Sequence, residues 1–247
     1  MELLFDLLKW FTDPANWSGR DALPNRLTEH VLISLGAIVV ALLVALPLAL
    51  YIGHTGRGGF LAISLSNVGR AVPSYALLVI LFGLFAAATT NLGLLVNGPI
   101  VLAMIALAIP PVVTNTYAGL RDVDRDLLEA ARGMGMSGWQ VLRRIELPLA
   151  LPVILAGVRT AAVQVVATAA LGAVIGGGGL GRYIIQGIAR FDHPRLLAGA
   201  LLVALLALGT ELVLAWLQRR TVSVGLSVGA EARPLRAASA PASAVPR

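Results

Sequence analysis

The chain has 247 residues, 57% of them hydrophobic and 13% charged, with a mean hydropathy of +0.84. Soluble domains carry about a quarter charged residues, so this composition excludes an ordinary water-soluble domain and makes lipid the natural solvent. The formal net charge of +6 sits on arginines between and after the apolar runs, which suits anionic headgroups and the positive-inside bias rather than nucleic acid.

Residues 1–30 are mixed. The opening stretch, MELLFDLLKWF, reads as an amphipathic helix in the membrane interface with Trp10 and Phe11 as anchors. With Glu2 and Asp6 it is too charged and too short for a signal peptide, and Asp13-Pro14 breaks it. A first span is predicted over residues 31–52, enough to cross roughly 30 Å of hydrocarbon at about 1.5 Å per residue. Pro47 is expected to kink it. His54, Arg57 and Arg70 follow around a glycine-rich turn. A second span is predicted over 71–88, then an uncharged link over 91–98, then a third span over 99–119. Pro110-Pro111 predict a sharp bend in that third span.

From Ala71 to Leu120 there is no charged residue, and then a polar island occupies residues 121–148. A charge cluster of this density cannot lie in hydrocarbon, so it marks a loop in water between two spans. Asp124 is placed to cap a helix running to about Met134. Leu127, Ala131 and Met134 fall on one face of it, with Leu128 beside them. Arg125, Glu129 and Arg132 fall on the other, at spacings that suit ion pairs. Gly133 and Gly135 end the helix. Ser137 and Gln140 form a capping box for a second helix, with Trp139, Leu142 and Ile145 on one side and Arg143 and Arg144 facing away. Leu147-Pro148 closes that helix. An apolar stripe on a water-exposed hairpin predicts a docking surface.

Beyond the island a fourth span is predicted over 149–175, carrying Arg159, Thr160, Gln164 and Thr168. The glycine run 176–179 and a polar link through Arg195 follow, then a fifth span over 196–217 interrupted only by Glu211. Residues 218–247 are rich in Ala, Ser, Pro and Arg and read as a disordered tail. The fold class is therefore an all-α integral membrane protein of about five transmembrane helices. The arginine bias places Arg57, Arg70, the island and Arg219-Arg220 in the cytoplasm, with the amino terminus outside and the carboxyl terminus inside. The link carrying Arg182, Arg190 and Arg195 then lies outside, against that bias.

The spacing Glu129-Ala130-Ala131, three residues, Gly135, nine residues, Ile145, one residue, Leu147-Pro148 resembles the EAA signature of ABC importer permeases. The resemblance to the type I importer permease covers Gly36 to Leu217. It implies a transmembrane domain over residues 31–217 in the bacterial cytoplasmic membrane, with 1–30 as a periplasmic or interfacial segment and 121–148 as a coupling loop. It further implies that residues 126–134 form the coupling helix, seated on a separate ATP-hydrolysing subunit. On that basis Asp126, Leu127, Glu129, Ala130, Ala131, Met134, Gly135, Ile145, Leu147 and Pro148 are the expected ATPase-coupling residues. The other implied partners are a substrate-binding protein, a second permease chain, identical or paralogous, and the bilayer.

Within that group, Asn115-Thr116-Tyr117-Ala118-Gly119-Leu120 and the stretches 129–136, 146–160 and 177–187 resemble the quaternary-amine branch. That branch takes up glycine betaine, choline, carnitine or proline betaine. Permeases for methionine, other amino acids or sulfonates share the loop and remain the alternative. An ATP-independent secondary transporter or channel is the alternative of another class. The stretch 69–75 resembles the osmoprotectant permeases too, although Arg70 stands where a glutamine is expected.

Six residues are expected along the translocation path: Arg70, Pro73, Arg159, Gln164, Gly178 and Gly179. Arg159 and Glu211, the charges deepest in the spans, either contact substrate or pair with each other. The glycine run formally fits G-x-G-x-x-G, but a span rather than a strand precedes it, which argues against a dinucleotide site. It reads as a flexible turn at the outer mouth or as a plain connecting loop. No aromatic cage for a quaternary ammonium is visible, so high-affinity recognition is expected on the binding protein. There is no cysteine for a thiolate metal site, and His30, His54 and His193 lie too far apart in sequence to suggest an imidazole site. Lys9 is the only lysine and no Gly-Lys-Ser/Thr triplet exists. The chain is therefore expected to have no catalytic residue and no cofactor of its own, with ATP and Mg on the partner ATPase.

Overall fold

The computed structural model describes residues 2–221. Of the expected tail, residues 222–247 lie outside the described residues, and 218–221 belong to the last helix. The regular elements among the described residues are all helical. Helices satisfy their own backbone polar groups, which an apolar chain in lipid requires.

The amphipathic helix α1 (Glu2–Thr12) buries Trp10 and leaves Leu3, Leu4, Phe5 and Leu8 exposed. Trp10 stacks edge-on against Phe11 and Tyr183, and α1 packs along the last helix. Helix α2 (Leu23–Thr55) begins well before the predicted residue 31 and ends at Gly56, whose φ of 72° supplies the left-handed cap. Its inner face is Ser34, Ala37, Ala41, Ala45 and Ala49, all buried. Leu32, Leu35, Val39, Leu43 and Leu48 cover the opposite face and are exposed. The polarity is thus inside out relative to a soluble helix. Lipid tails are as apolar as leucine, so small residues that permit close approach hold the helices together.

The predicted second span is two helices, α3 (Gly59–Ala71) and α4 (Ser74–Ala88), bent by 92° at the break between them. Pro73 causes it: the residue before a proline is driven out of the helical region, and Val72 is extended at φ −73°, ψ 123°. Helix α5 (Leu92–Arg121) stays unbroken through Pro99, Pro110 and Pro111, where a sharp bend was expected. The Thr114 hydroxyl donates to the Pro110 carbonyl at 2.8 Å, and the Asn115 amide donates to the Pro111 carbonyl at 2.8 Å. The two prolines leave the Ala106 and Leu107 carbonyls without their i+4 N–H donors, which a helix packed among neighbours tolerates.

Two short helices, α6 (Arg125–Gly133) and α7 (Gly138–Val141), make the island's hairpin. Leu147-Pro148 does not close the second of them. One helical run continues from Gly138 to Ile175, with a wide π turn over Leu142–Glu146 leading into α8 (Leu147–Ala169). Pro148 has no N–H to give, and the turn ahead of it opens so that the Leu147 N–H reaches the Leu142 carbonyl. A 3-10 turn (Ala170–Ile175) and the glycine run lead into α9 (Gly181–Arg190), which replaces the predicted polar link, and then α10 (His193–Thr221).

Helix α5 is the hub, packed on α2, α3, α4 and α8. The core joins Ala37, Ala41, Ala45 and Ala49 to Ala103, Met104, Ala108 and Val112 of α5 and Ala161 and Val165 of α8. Gly157 marks the closest approach of α8 to α5. A Cβ there would stand 2.6 Å from Asn115 Cβ and 2.8 Å from the Pro111 carbonyl oxygen. Among the described residues, four helices are long and apolar enough to span a bilayer, and the bent α3–α4 pair makes a fifth when counted as one broken span.

Candidate functional site

The hairpin over residues 121–148 is shaped by its own sequence. Asp124 caps α6, accepting the Asp126 N–H at 2.9 Å. The helix ends at Met134, whose N–H reaches the Ala130 and Arg132 carbonyls. Gly135 then reverses the chain at φ 84°. The capping box forms in full: the Ser137 N–H donates to Gln140 Oε1 at 2.8 Å and the Gln140 N–H to Ser137 Oγ at 3.4 Å. Such a cap stabilises a helix start by about 1 kcal/mol.

Only part of its apolar stripe is covered. Ala131, Val141 and Leu142 are buried, while Leu127, Met134 and Trp139 are 44%, 77% and 67% exposed. Trp139 therefore does not share a face with Leu142 as predicted. Asp126, Glu129 and Ala130 are exposed, Ile145 and Leu147 are half-buried, and Pro148 is exposed. The predicted ion pairs of Glu129 with Arg125 and Arg132 do not form. These three side chains line an open cleft of about 270 Å³ together with His54, Arg121 and Glu146.

A buried polar contact fastens this hairpin to helix α2. Glu146, in the π turn, is 3% exposed and meets His54 of α2 at 2.5 Å, Oε2 to Nδ1. Nothing in the sequence marked this pair, which is separated by 92 residues.

The opposite end of the molecule carries a second constellation, around the glycine run. Arg26 donates to Asp21 and to Glu29, the latter at 2.7 Å. Glu29 Oε2 also accepts the Gly179 N–H at 3.0 Å. His30 Nδ1 accepts the Leu180 N–H at 3.2 Å, so its proton is on Nε2, which donates to the Val166 carbonyl at 2.9 Å. The Tyr183 hydroxyl donates to the Asp21 carbonyl at 2.7 Å. Its hydrogen bond from Arg26 holds the Asp21 carboxyl below the usual carboxylate range, and burial pushes the Tyr183 hydroxyl up.

The glycines are required by close approach. A Cβ on Gly178 would stand 2.5 Å from Glu29 Oε2, and one on Gly179 would stand 3.0 Å from His30 Nδ1. The run is thus a clamped turn rather than a flexible one. A cleft of about 310 Å³ opens beside it, lined by Glu29, His30, Asn97, Ile100, Gly178 and Gly179. An acid next to a histidine at the head of α2 was the available signal, but their partners lie 150 residues away.

The six expected path residues do not converge on one site. Gly178 and Gly179 belong to the outer clamp. Arg159 of α8 bonds Glu211 of α10 at 3.0 Å and Gln218 at 3.2 Å, and Gln218 in turn bonds the Pro152 carbonyl at 3.0 Å. That network places Arg159 in the seam between α8 and α10, as a mutual pair with Glu211. Gln164, also on α8, is half-buried and has no hydrogen-bond partner among the described residues.

Pro73 and Arg70 sit at the α3–α4 break. Arg70 was expected at the cytoplasmic flank but lies inside the broken span, donating to Thr114 of α5. It is exposed and makes no ion pair among the described residues. A lone charge facing hydrocarbon costs about 2.5–3.5 kcal/mol even on the lenient insertion scale, so this side of the chain faces water or protein.

The family model described as "Binding-protein-dependent transport system inner membrane component" matches residues 31–223. A glycine betaine/carnitine/choline transport system permease protein of Bacillus subtilis is 35% identical over 198 residues, 80% of this chain and 88% of the relative. A carnitine transport permease protein of Listeria monocytogenes is 37% identical over 192 residues, 77% of this chain and 82% of the relative. An osmoprotectant import permease protein of Salmonella typhimurium is 37% identical over 194 residues, 78% and 79% of the two chains. Among solved structures, the inward-facing MetNI methionine ABC transporter superposes with a TM-score of 0.69 at 20% identity, covering 85% of this chain and 99% of that one.

Proposed function

Because this chain belongs to the binding-protein-dependent transport system inner membrane component family, we propose that it forms the membrane path of an ATP-driven importer for a quaternary-ammonium osmoprotectant. Its fold is that of an ABC importer permease, and it is a multi-pass membrane protein. The substrate class rests on the relatives, which are named for glycine betaine, carnitine and choline transport at 35–37% identity. The methionine importer is similar in fold at 20% identity, which supports the architecture and says nothing about the solute.

The mechanism follows from the uncovered hairpin. The observation that carries it is the row of exposed apolar side chains, Leu127, Met134 and Trp139, on a hairpin whose polar residues cannot enter lipid. That stripe docks on a separate ATPase subunit, which binds ATP and Mg. Two permease chains, identical or paralogous, each present one hairpin, and a binding protein delivers solute to the outer face. Closure of the ATPase pair moves the hairpins, and the helices joined to them follow as rigid bodies. Helix α8 follows through its continuous run from Gly138, and α2 follows through His54–Glu146. The chain itself breaks no bond. In this arrangement the amino terminus lies outside and the hairpin and carboxyl terminus lie in the cytoplasm of a bacterium.

Two experiments test the reading. Radiolabelled glycine betaine and choline uptake is measured in a deletion strain complemented with this chain and its partner subunits. Uptake of methionine or a sulfonate instead, with no osmoprotectant uptake, would reverse the substrate assignment. The chain has no cysteine, so Ala130→Cys offers a single crosslinking site on the exposed side of α6; neighbouring Ala131 is 1% exposed and does not. Crosslinks from a working complex that never reach the ATPase would remove the docking role.

A further inference from the structure

Arg70 ends α3 at the 92° break in the second span, next to fifty residues without a charge, 71–120. Two contacts fix its position from α5. Its guanidinium donates to the Thr114 hydroxyl, and that hydroxyl spends its own hydrogen on the Pro110 carbonyl at 2.8 Å. Thr114 is therefore oriented to accept. Beside it, Gly69 lies against Pro110, where a Cβ would stand 3.3 Å from Cγ, so the end of α3 is held close to α5. An arginine has five N–H donors in a planar fork. Thr114 is the one hydrogen-bond partner Arg70 has among the described residues, no carboxylate neutralises it, and it is exposed.

A charge that is built in, oriented and unpaired inside a span must look onto an aqueous path or a facing chain. The planar fork recognises carboxylates in bidentate fashion, and its positive charge repels a quaternary ammonium. Betaines and carnitine carry both a quaternary ammonium and a carboxylate. Choline carries the ammonium with a hydroxyl in place of the carboxylate. We propose that Arg70, held on Thr114 at the break between α3 and α4, is a specificity-determining residue of the path that receives the carboxylate of zwitterionic solutes and favours them over choline. This inference rests on the osmoprotectant reading and adds to it a preference that the permease imposes after the binding protein has released its cargo.

The test is initial-rate uptake of glycine betaine and of choline through the complete importer with one unchanged binding protein. Wild type is compared with R70Q at equal amounts of assembled complex, measured by copurification with the ATPase. Loss of a charge-assisted carboxylate contact is expected to lower the betaine-to-choline rate ratio on the order of tenfold. A proportional fall of both rates, or no change in their ratio, overturns the assignment. If R70Q does not assemble, R70K decides. It keeps the charge and loses the fork, so the ratio should fall less but in the same direction, and an unchanged ratio overturns the proposal. A wild-type importer that carried neither solute would overturn the osmoprotectant reading itself, and this assignment with it.

Discussion

The two ends of the molecule are held by opposite means. At the end that carries the glycine turn, Glu29 and His30 reach across 150 residues to accept the Gly179 and Leu180 N–H groups, and Arg26 braces Glu29 from one helical turn away. The Glu29 and His30 side chains each bond backbone on another element, and a Cβ on Gly178 or Gly179 would meet them. At the opposite end the hairpin is shaped by caps and a turn between near neighbours. The His54–Glu146 contact ties it to α2, and Leu127, Met134 and Trp139 are left bare. The contrast teaches what fixes each shape. The glycine turn is fixed by side chains of a distant helix, whereas the hairpin is fixed by its own neighbours and leaves apolar side chains exposed.

Substitutions can break or sharpen that contrast. Gly179→Val should act hardest, because it combines a left-handed φ of 77° with a contact on His30. Strain and overpacking together should cost about 3 kcal/mol or more. The expected outcome is low folded yield and early thermal unfolding of the purified chain. Normal yield and melting would mean that the outer clamp is not needed.

His54→Ala comes next. It leaves the buried Glu146 carboxylate without its partner, at a cost of about 2 kcal/mol. Thermal unfolding should fall and ATPase stimulation by solute should weaken, since α2 loses its tie to the hairpin. Equal coupling in the variant would leave the α8 run as the sole mechanical link.

Gly135→Val tests the turn alone. There is open space around a Cβ at that position, so the penalty is the left-handed φ of 84°, about 1–2 kcal/mol. The spans should remain folded while copurification of the ATPase and uptake both drop. Normal uptake by a well-expressed variant would argue against the hairpin's role.

Trp139→Ser should be the mildest on the isolated chain, within about 0.5 kcal/mol, as for surface sites. Its effect should appear only as weaker ATPase capture. A large loss of stability without loss of capture would reverse the comparison, making Trp139 a packing residue and the hairpin a closed structure.

What could be read from residues divides along the same line. Asp124, Gly135 and the Ser137–Gln140 box were legible because each acts on backbone within a few residues, and all three took the expected geometry. The EAA-type spacing pointed to the family before any coordinate was known. The break at Pro73 was half legible: the proline was singled out for the path, but residues 71–88 were read as one continuous span where two helices meet at 92°. Pro110-Pro111 pointed to a sharp bend, yet α5 runs through both without a helix break. The link over 182–195 was judged by its arginines and is in fact helix α9 and the start of α10, with Tyr183 on the buried side of α9. Arg159 and Glu211 were recognised as a possible pair, and the structure joins them.

By itself, the sequence determined the solvent, the approximate spans and the hairpin's internal shape. These depend on local hydropathy, caps and glycine conformation, all encoded within a turn or two of helix. Only the tertiary structure decided which charges are spoken for. Glu29, His30 and Arg159 turn out to be occupied in holding helices together, while Arg70 is anchored on Thr114 and has no ion pair among the described residues. Hydrogen bonds across 44 to 150 residues of chain follow from which small faces allow two helices to touch, and linear spacing carries no record of that.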